Sequence, residues 1–300
     1  MKNVIAIVCL LIVAISCRKE VSPVPNNPNE NSLVDAASTT EQRLINQEKV
    51  KLLKSWSIYA WVYAGAYNKE KSFYAEVKNL GINKKVYVHH KMMDSSWQDL
   101  PLKFLKKGYD STDIWGIELK YGGYGSVFYP GTNIDLSTNG FGDEYVLKYV
   151  ANGQTYWDNN GGNNYKVPHP YGSDGMFLQN GLNISADTYR SNFYVRDSSN
   201  KELLIYADLR NLGFQKEVKL IYSTNNWKTV KTAPLNFVQY YSVGNGTILT
   251  NPNVFGIEKW SVIVKLGSTA TKVSYALSYK VNGVEYWDNN FGKNYTMYNK

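Results

Sequence analysis

The sequence predicts an all-β protein, two tandem antiparallel β-sandwich domains behind a signal peptide and a flexible tether. Three observations predict it. A long passage is written twice in the same order; short strand-like runs alternate with turns rich in Asn and Gly; and tyrosine is abundant, with 25 in 300 residues beside 23 glycines. Such a composition suits pleated sheets with aromatic faces. Hydrophobic residues make up 43% of the chain, enough for two ordinary cores.

The duplication is plainest at its end. The string "TYWDNNGGNNY", Thr155 to Tyr165, returns as "EYWDNNFGKNY", Glu285 to Tyr295. Upstream, "VKNLGINKKVYVHH" (Val77 to His90) corresponds to "LRNLGFQKEVKLIY" (Leu209 to Tyr222). "DSSWQ" around Trp97 corresponds to "TNNWK" around Trp227, and "WGIE" (Trp115 to Glu118) to "FGIE" (Phe255 to Glu258). A unit of roughly 110 to 130 residues is the size of one domain and far longer than a solenoid repeat. The expected domains are residues 46–167 and 176–300, joined by a linker at 168–175 within "VPHPYGSDG".

Taken in order, the chain begins with Lys2 and an apolar run from Val4 to Ile15. That run is too short to span a bilayer and suits a secretory signal, residues 1–16. Ala14-Ile15-Ser16-Cys17 resembles the lipobox of bacterial lipoproteins. That resemblance implies cleavage before Cys17 and acylation of its thiol, hence a lipid-anchored protein of the bacterial cell envelope, exposed on the outer-membrane surface or facing the periplasm. An ordinary signal peptide with an accidental cysteine is the alternative. The other cysteine, Cys9, lies in the segment to be removed, so the mature chain could form no internal disulfide. Residues 17–45, opening "RKEVSPVPNNPNENS", read as a tether. Leu44, Ile45, Val50, Leu52 and Leu53 give partial helical spacing and predict a short helix over Glu41 to Leu53.

The rest reads as strands and hairpins. Tyr275, Leu277 and Tyr279 alternate with Ala276, Ser278 and Lys280, predicting one buried and one wet face. The strand runs into Asn282-Gly283, a strong hairpin signal. Tyr145, Leu147 and Tyr149 followed by Asn152-Gly153 repeat the pattern. "KKVYVHH", "ELLIYADL" and "WSVIVKL" supply further short strands, and many short strands between turns favour a β-sandwich.

Each copy leaves its hairpin through Tyr-Trp into Asp-Asn-Asn-x-Gly-x-Asn-Tyr, a loop of turn formers beside an indole. Two readings are open. The Trp is core and the Asn side chains cap turns; or the indole receives the C–H face of a sugar while Asn amides meet its hydroxyls. The string, the preceding Asn-Gly hairpin, the upstream Asn-Leu-Gly-x-x-Lys-x-Val and the Asn-x-Trp-type loop together resemble family 21 carbohydrate-binding modules, the starch- and glycogen-binding domains of some fungal glucoamylases and of targeting subunits of protein phosphatase 1. The likeness covers about one hundred residues in each copy.

The resemblance implies an immunoglobulin-like sandwich that binds α-glucan. It implies stacking platforms at Trp97 with Trp157 and at Trp227 with Trp287. Asn159, Asn160 and Asn164 in the first copy, and Asn289, Asn290 and Asn294 in the second, become hydroxyl readers, with Asp158 and Asp288 bracing the loops. A second family site implies Phe214, where the first copy has Ile82. Two departures stand out. The outward tyrosine of the family's fungal members is Val146 or Ala276 here, and the phosphatase-docking motif is absent. On this comparison the second copy is the better equipped. Two modules on one chain would reinforce each other on a polymer that spans both.

Other classes fit poorly. The acids Asp94, Asp99, Asp113 and Glu118 show no pairing of the kind a glycosidase needs. His89 and His90 point to opposite faces of a strand and His169 sits in the linker, which disfavours a triad or a metal site. Asp-Asn-Asn lacks the spacing of an EF-hand. The net charge is +8, but no run of five basic residues marks a nucleic-acid stripe. The expectation is a non-catalytic glucan-binding lipoprotein with no cofactor and no metal, cooperating with glycan-degrading enzymes or transporters. The alternatives are an adhesion or spacer lipoprotein, or an accessory subunit of a glycoside hydrolase system.

Overall fold

The computed structural model describes residues 49–63, 66–92, 94–122, 141–166, 175–179, 181–243 and 247–299. The expected signal peptide, Cys17, the tether and His169 lie outside the described residues. Among the described residues the chain is strand and turn, with one short 3-10 turn at Asn160–Gly162. The all-β expectation holds.

The first unit contains β1 (Val50–Tyr63), β2 (Ala66–Lys78), β3 (Lys84–Met92), β4 (Trp97–Pro101), β5 (Lys103–Lys107), β6 (Thr112–Gly122), β7 (Phe141–Ala151), β8 (Gln154–Asp158), β9 (Tyr165–Lys166) and β10 (Phe177–Leu178). One antiparallel sheet runs β10-β1-β2-β6-β5 and the other β4-β3-β7-β8, with β9 also on β7. Leu52, Phe73, Ala75 and Val77 of the first sheet share a core with Val86, Val88, Leu147 and Tyr149 of the second.

The second unit contains β11 (Ile184–Ala186), β12 (Asn192–Val195), β13 (Lys201–Arg210), β14 (Lys216–Ser223), β15 (Lys231–Pro234), β16 (Asn236–Phe237), β17 (Tyr240–Val243), β18 (Thr247–Thr250), β19 (Ile257–Leu266), β20 (Lys272–Val281), β21 (Val284–Asp288) and β22 (Tyr295–Tyr298). Its sheets run β11-β13-β19-β16, with β12 on β13, and β15-β14-β20-β21, with β22 on β20. Their inner faces close over Ile184, Leu203, Ile205, Leu220, Tyr275 and Leu277. The pairing order repeats that of the first unit, with β17–β18 added as a separate hairpin.

Three sequence expectations are corrected. Val50 to Leu53 belong to β1, not a helix, because Val50 and Leu52 are buried around a half-buried Lys51 and so follow period two. The match of Trp115 to Phe255 also fails. Ala75 pairs with Trp115, and Ala207 pairs with Trp260, so Trp260 is the true counterpart. The ion pairs agree: Lys84 bonds Asp113 as Lys216 bonds Glu258, the latter at 2.6 Å. The second unit inserts β17–β18 where the first has only the turn after β5, so the shared tetrapeptides fall at different places. Finally, β20 is buried on both faces from Val273 to Tyr279. Its second face carries the short Ala276 and Ser278, flanked in register by Ile221 and Trp287.

The Asn-Leu-Gly and Asn-Gly motifs form one bracket. The Asn152 side chain donates to the Leu80 carbonyl, and Asn282 does the same to Leu212 at 2.8 Å. Both asparagines hold positive φ, 51° in each. A side chain at Gly81 would put its Cβ 2.5 Å from Asn152 Oδ1, so glycine is required there. The buried Tyr149 donates to the Lys78 carbonyl at 2.7 Å, and Tyr279 to Arg210 at 3.0 Å.

The units meet over Trp56, Met176 and Leu178 on one side and Tyr241, Leu249 and Ile257 on the other. Phe177 and Phe255 meet edge to face at 5.4 Å. Asn253 Nδ2 donates to the Met176 carbonyl at 2.7 Å, and Lys54 Nζ to Ser185 Oγ at 2.8 Å. A cavity of about 30 Å³ beside them is lined by Trp56, Tyr74, Glu118, Asp187 and Arg190, room for about one water. Within the second unit the buried Lys259 lies 2.9 Å from Asp187 and also bonds Asp208, while Arg190 reaches Asp187 at 2.8 Å. Burial opposes ionisation of Asp187, but Lys259 and Arg190 outweigh it and hold its carboxyl well below the usual range.

Lys259→Met removes the buried ammonium that bonds Asp187 and Asp208 and is expected to lower stability by about 3–5 kcal/mol in urea denaturation. His90 gives a second expectation. Burial, and then the nearby Lys71 charge, push its pKa down to about 4. The unfolded chain therefore binds the extra proton first, and stability falls as pH drops from about 6.5 towards 4. His90→Tyr, the residue found at the equivalent Tyr222, removes that part of the pH dependence.

Candidate functional site

The two indoles of the first unit meet on the outer face of the β4-β3-β7-β8 sheet. Register sets Asp99, His89 and Val146 in one row, and sets Lys148 opposite Trp157. His89 lies between the tryptophans. Its ring stacks on Trp97 at 5.1 Å and 16°, and meets Trp157 edge-on at 5.3 Å and 72°. Trp97 is 37% exposed and Trp157 50%. With Val146 as floor and Asn159 and Asn164 at the rim, they line an open cleft of about 370 Å³.

The polar groups behind the rings fix their poses. His89 Nδ1 lies 2.7 Å from Asp99 Oδ1, and Lys148 Nζ lies 2.6 Å from Asp99 Oδ2. The same ammonium sits 5.7 Å over the Trp157 ring, within cation–π range. The face is therefore aromatic, edged by one cation and one ring nitrogen, His89 Nε2. An indole face accepts the C–H side of a pyranose, and the rim amides suit adjacent hydroxyls.

The loop itself is built by its own side chains. Asp158 accepts from the Tyr165 hydroxyl at 2.9 and 2.8 Å, from the Leu52 backbone at 2.8 Å, and from Asn160 N at 3.2 Å. Burial, and then the Asp158 charge, push the Tyr165 phenol up. Asn159 Oδ1 accepts from Gly162 N at 3.1 Å, and Asn160 Nδ2 donates to the Asn164 carbonyl at 3.1 Å. Asn160 and Asn164 hold φ of 54° and 53°, a region Asn tolerates. Asn164 Nδ2 donates to Glu144 at 2.6 Å. That bond, helped by Lys91, lowers the Glu144 pKa.

The second unit repeats the clamp. Asp288 accepts from the Tyr295 hydroxyl at 2.9 Å, from Ala186 N at 2.6 Å and from Asn290 N at 3.2 Å. Asn289 and Asn290 repeat the two loop bonds, at 2.9 and 2.8 Å. The sheet face differs. Ile221 stands where the first unit has His89, Ala276 where it has Val146, and Ser278 where it has Lys148. Trp227 and Trp287 are half-buried. Trp227 is held at φ 63° in a turn where its N–H donates to Ser223 Oγ at 2.9 Å. Asn294 is buried and its Oδ1 has no partner among the described residues. Phe214 is fully exposed, as is Ile82 at the matching place.

The structure thus brings Trp97, Trp157, Asn159 and Asn164 to one cleft and engages Asp158 and Asn160 inside the loop. Sequence reasoning left His89 out of the site. Alternation placed it opposite His90, and the hairpin register to Asp99 was the signal that could have placed it beside Trp97.

Residues 189–298 match the family model of the carbohydrate/starch-binding module, family 21. The matched segment lies within the second unit. Protein phosphatase 1 regulatory subunit 3B of Danio rerio is 30% identical over 97 residues, 32% of this chain and 31% of that protein. Glycogen-binding subunit 76A of Drosophila melanogaster is 27% identical over 107 residues, 35% of this chain and 14% of that protein. The chain thus spans less than a third of these relatives. Two solved structures are also similar. The starch binding domain of Rhizopus oryzae glucoamylase is 21% identical, covering 45% of this chain and 98% of its own, with a TM-score of 0.27. The carbohydrate binding module of the muscle glycogen-targeting subunit of protein phosphatase 1 is 18% identical, covering 39% and 76%, with a TM-score of 0.29.

Asp158→Ala removes an acceptor shared by a buried phenol and two backbone N–H groups. It is expected to lower stability by about 3 kcal/mol, measured by urea denaturation.

Proposed function

We propose that this chain is a non-catalytic α-glucan-binding protein whose principal site is the Trp97–His89–Trp157 cleft. The observation that carries the reading is the pairing of two exposed indoles over a shared floor, with asparagine amides at the rim. The family match on the second unit supports the ligand class, because the first unit repeats its strand order and its Asp-Asn-Asn loop. Starch, glycogen and maltooligosaccharides are the proposed ligands. In the second module Trp227 and Trp287 take the corresponding positions, and Phe214 belongs to a separate surface beside the Asn-Leu-Gly loop. In this proposal acylated Cys17 ties the chain to the bacterial cell envelope, where it holds glucan for degrading enzymes or transporters.

Native affinity electrophoresis of the full chain tests this, in gels containing glycogen, amylopectin, β-glucan or nothing. Retardation by glycogen and amylopectin alone is expected. Trp157→Ala should weaken binding by about 2 kcal/mol, roughly 30-fold, and Trp97→Ala with Trp157→Ala should abolish the retardation. Unchanged mobility of the wild type in every gel would overturn the reading in favour of an adhesion or spacer role.

A further inference from the structure

We propose that the Asp-Asn-Asn loop of the second unit is a dock for the first unit, so that each molecule offers one open glucan cleft. This rests on the glucan-binding reading above. The Tyr109 hydroxyl, in the turn after β5, donates to Asn289 Oδ1 at 2.8 Å. Lys106 Nζ bonds Asn290 Oδ1. The Tyr109 ring lies 5.4 Å from Phe291, and the Lys106 ammonium sits 4.8 Å over the same ring. The amide oxygens of two residues expected to read sugar hydroxyls are thus held by protein.

The difference between the two strings has a physical reason in this contact. Phe291 stands where the first copy has Gly161. Gly161 is exposed at φ 65°, a conformation glycine adopts freely. Phe291 holds φ 58°, which an aromatic residue adopts only under strain. Its ring is the surface that Tyr109 and Lys106 grip. The backbone bonds of the loop recur in both copies: Gly162 N to Asn159 and Gly292 N to Asn289, Asn164 N and Asn294 N to the same carbonyl positions. The copies differ in cover, not in backbone: residues 159–163 are exposed, whereas 289–291 are half-buried.

The other side of the junction is also copy-specific. The β17–β18 hairpin, which has no counterpart among the described residues of the first unit, brings Tyr241 and Leu249 onto Trp56, Met176 and Leu178. Features unique to one copy therefore converge on the contact. On the second unit's sheet face, Ile221 and Ser278 replace the imidazole and ammonium that edge the open cleft.

Hydrogen–deuterium exchange with mass spectrometry on the full chain tests the dock, with and without saturating maltoheptaose. Without sugar, peptides over 288–294 should exchange more slowly than those over 158–164. The double variant Tyr109→Ala, Lys106→Ala should erase that difference. With maltoheptaose, protection should rise at 97 and 158–164 and stay unchanged at 288–294. Equal exchange of the two loops in the sugar-free wild type would overturn the dock. A gain of protection in both loops would overturn the single open cleft. Slow exchange of 288–294 with no sugar effect anywhere would leave the dock standing and remove the glucan reading instead.

Discussion

A single carboxylate at the end of each Asp-Asn-Asn strand holds the site together. Asp158 ends β8 in one sheet, yet it accepts from the backbone of Leu52 in the opposite sheet and from the Tyr165 phenol. It therefore closes the edge of the sandwich and fixes the start of the loop in one stroke. Charge-assisted bonds to otherwise unsatisfied donors are among the stronger local interactions, and Asp288 repeats them on Ala186 and Tyr295. With the strand end pinned, Trp157 has one place to go, against Lys148 and within reach of His89. The cleft follows from the clamp.

The two units share one strand order and loop skeleton. Both keep the clamp, the Asn-Gly bracket and the Lys–acid pair between the Asn-Leu-Gly loop and the neighbouring strand. What differs lies on the outer sheet face and in the loop: His89 against Ile221, Lys148 against Ser278, Gly161 against Phe291. Those changes give the first unit an open aromatic cleft and the second a covered loop.

Much of the fold was legible. Period-two alternation and the Asn-Gly turns located the hairpins at Asn152-Gly153 and Asn282-Gly283. The helix expected over Glu41 to Leu53 fails at its described end because the three apolar positions Val50, Leu52 and Leu53 fit both periods in so short a stretch, and burial of Val50 and Leu52 on one core decided between them. The Trp115 to Phe255 match failed because a hairpin insertion displaces the true partner, Trp260, which only strand register reveals. That Trp97 and Trp157 face one cleft was readable from their motifs. His89 was not, because alternation says that two neighbours face apart but not which of them faces the indoles. The contact of Tyr109 with Asn289 joins residues 180 positions apart, and no local pattern carries that.

The central claim is that glucan binds on the Trp97–His89–Trp157 surface. The chain has eight tryptophans, so their indole N–H resonances report on each surface separately when ¹⁵N-labelled protein is titrated with maltoheptaose. The account predicts that the Trp97 and Trp157 signals move together with one dissociation constant while those of Trp227 and Trp287 stay in place. Movement of Trp227 and Trp287 with Trp97 and Trp157 unmoved would contradict it.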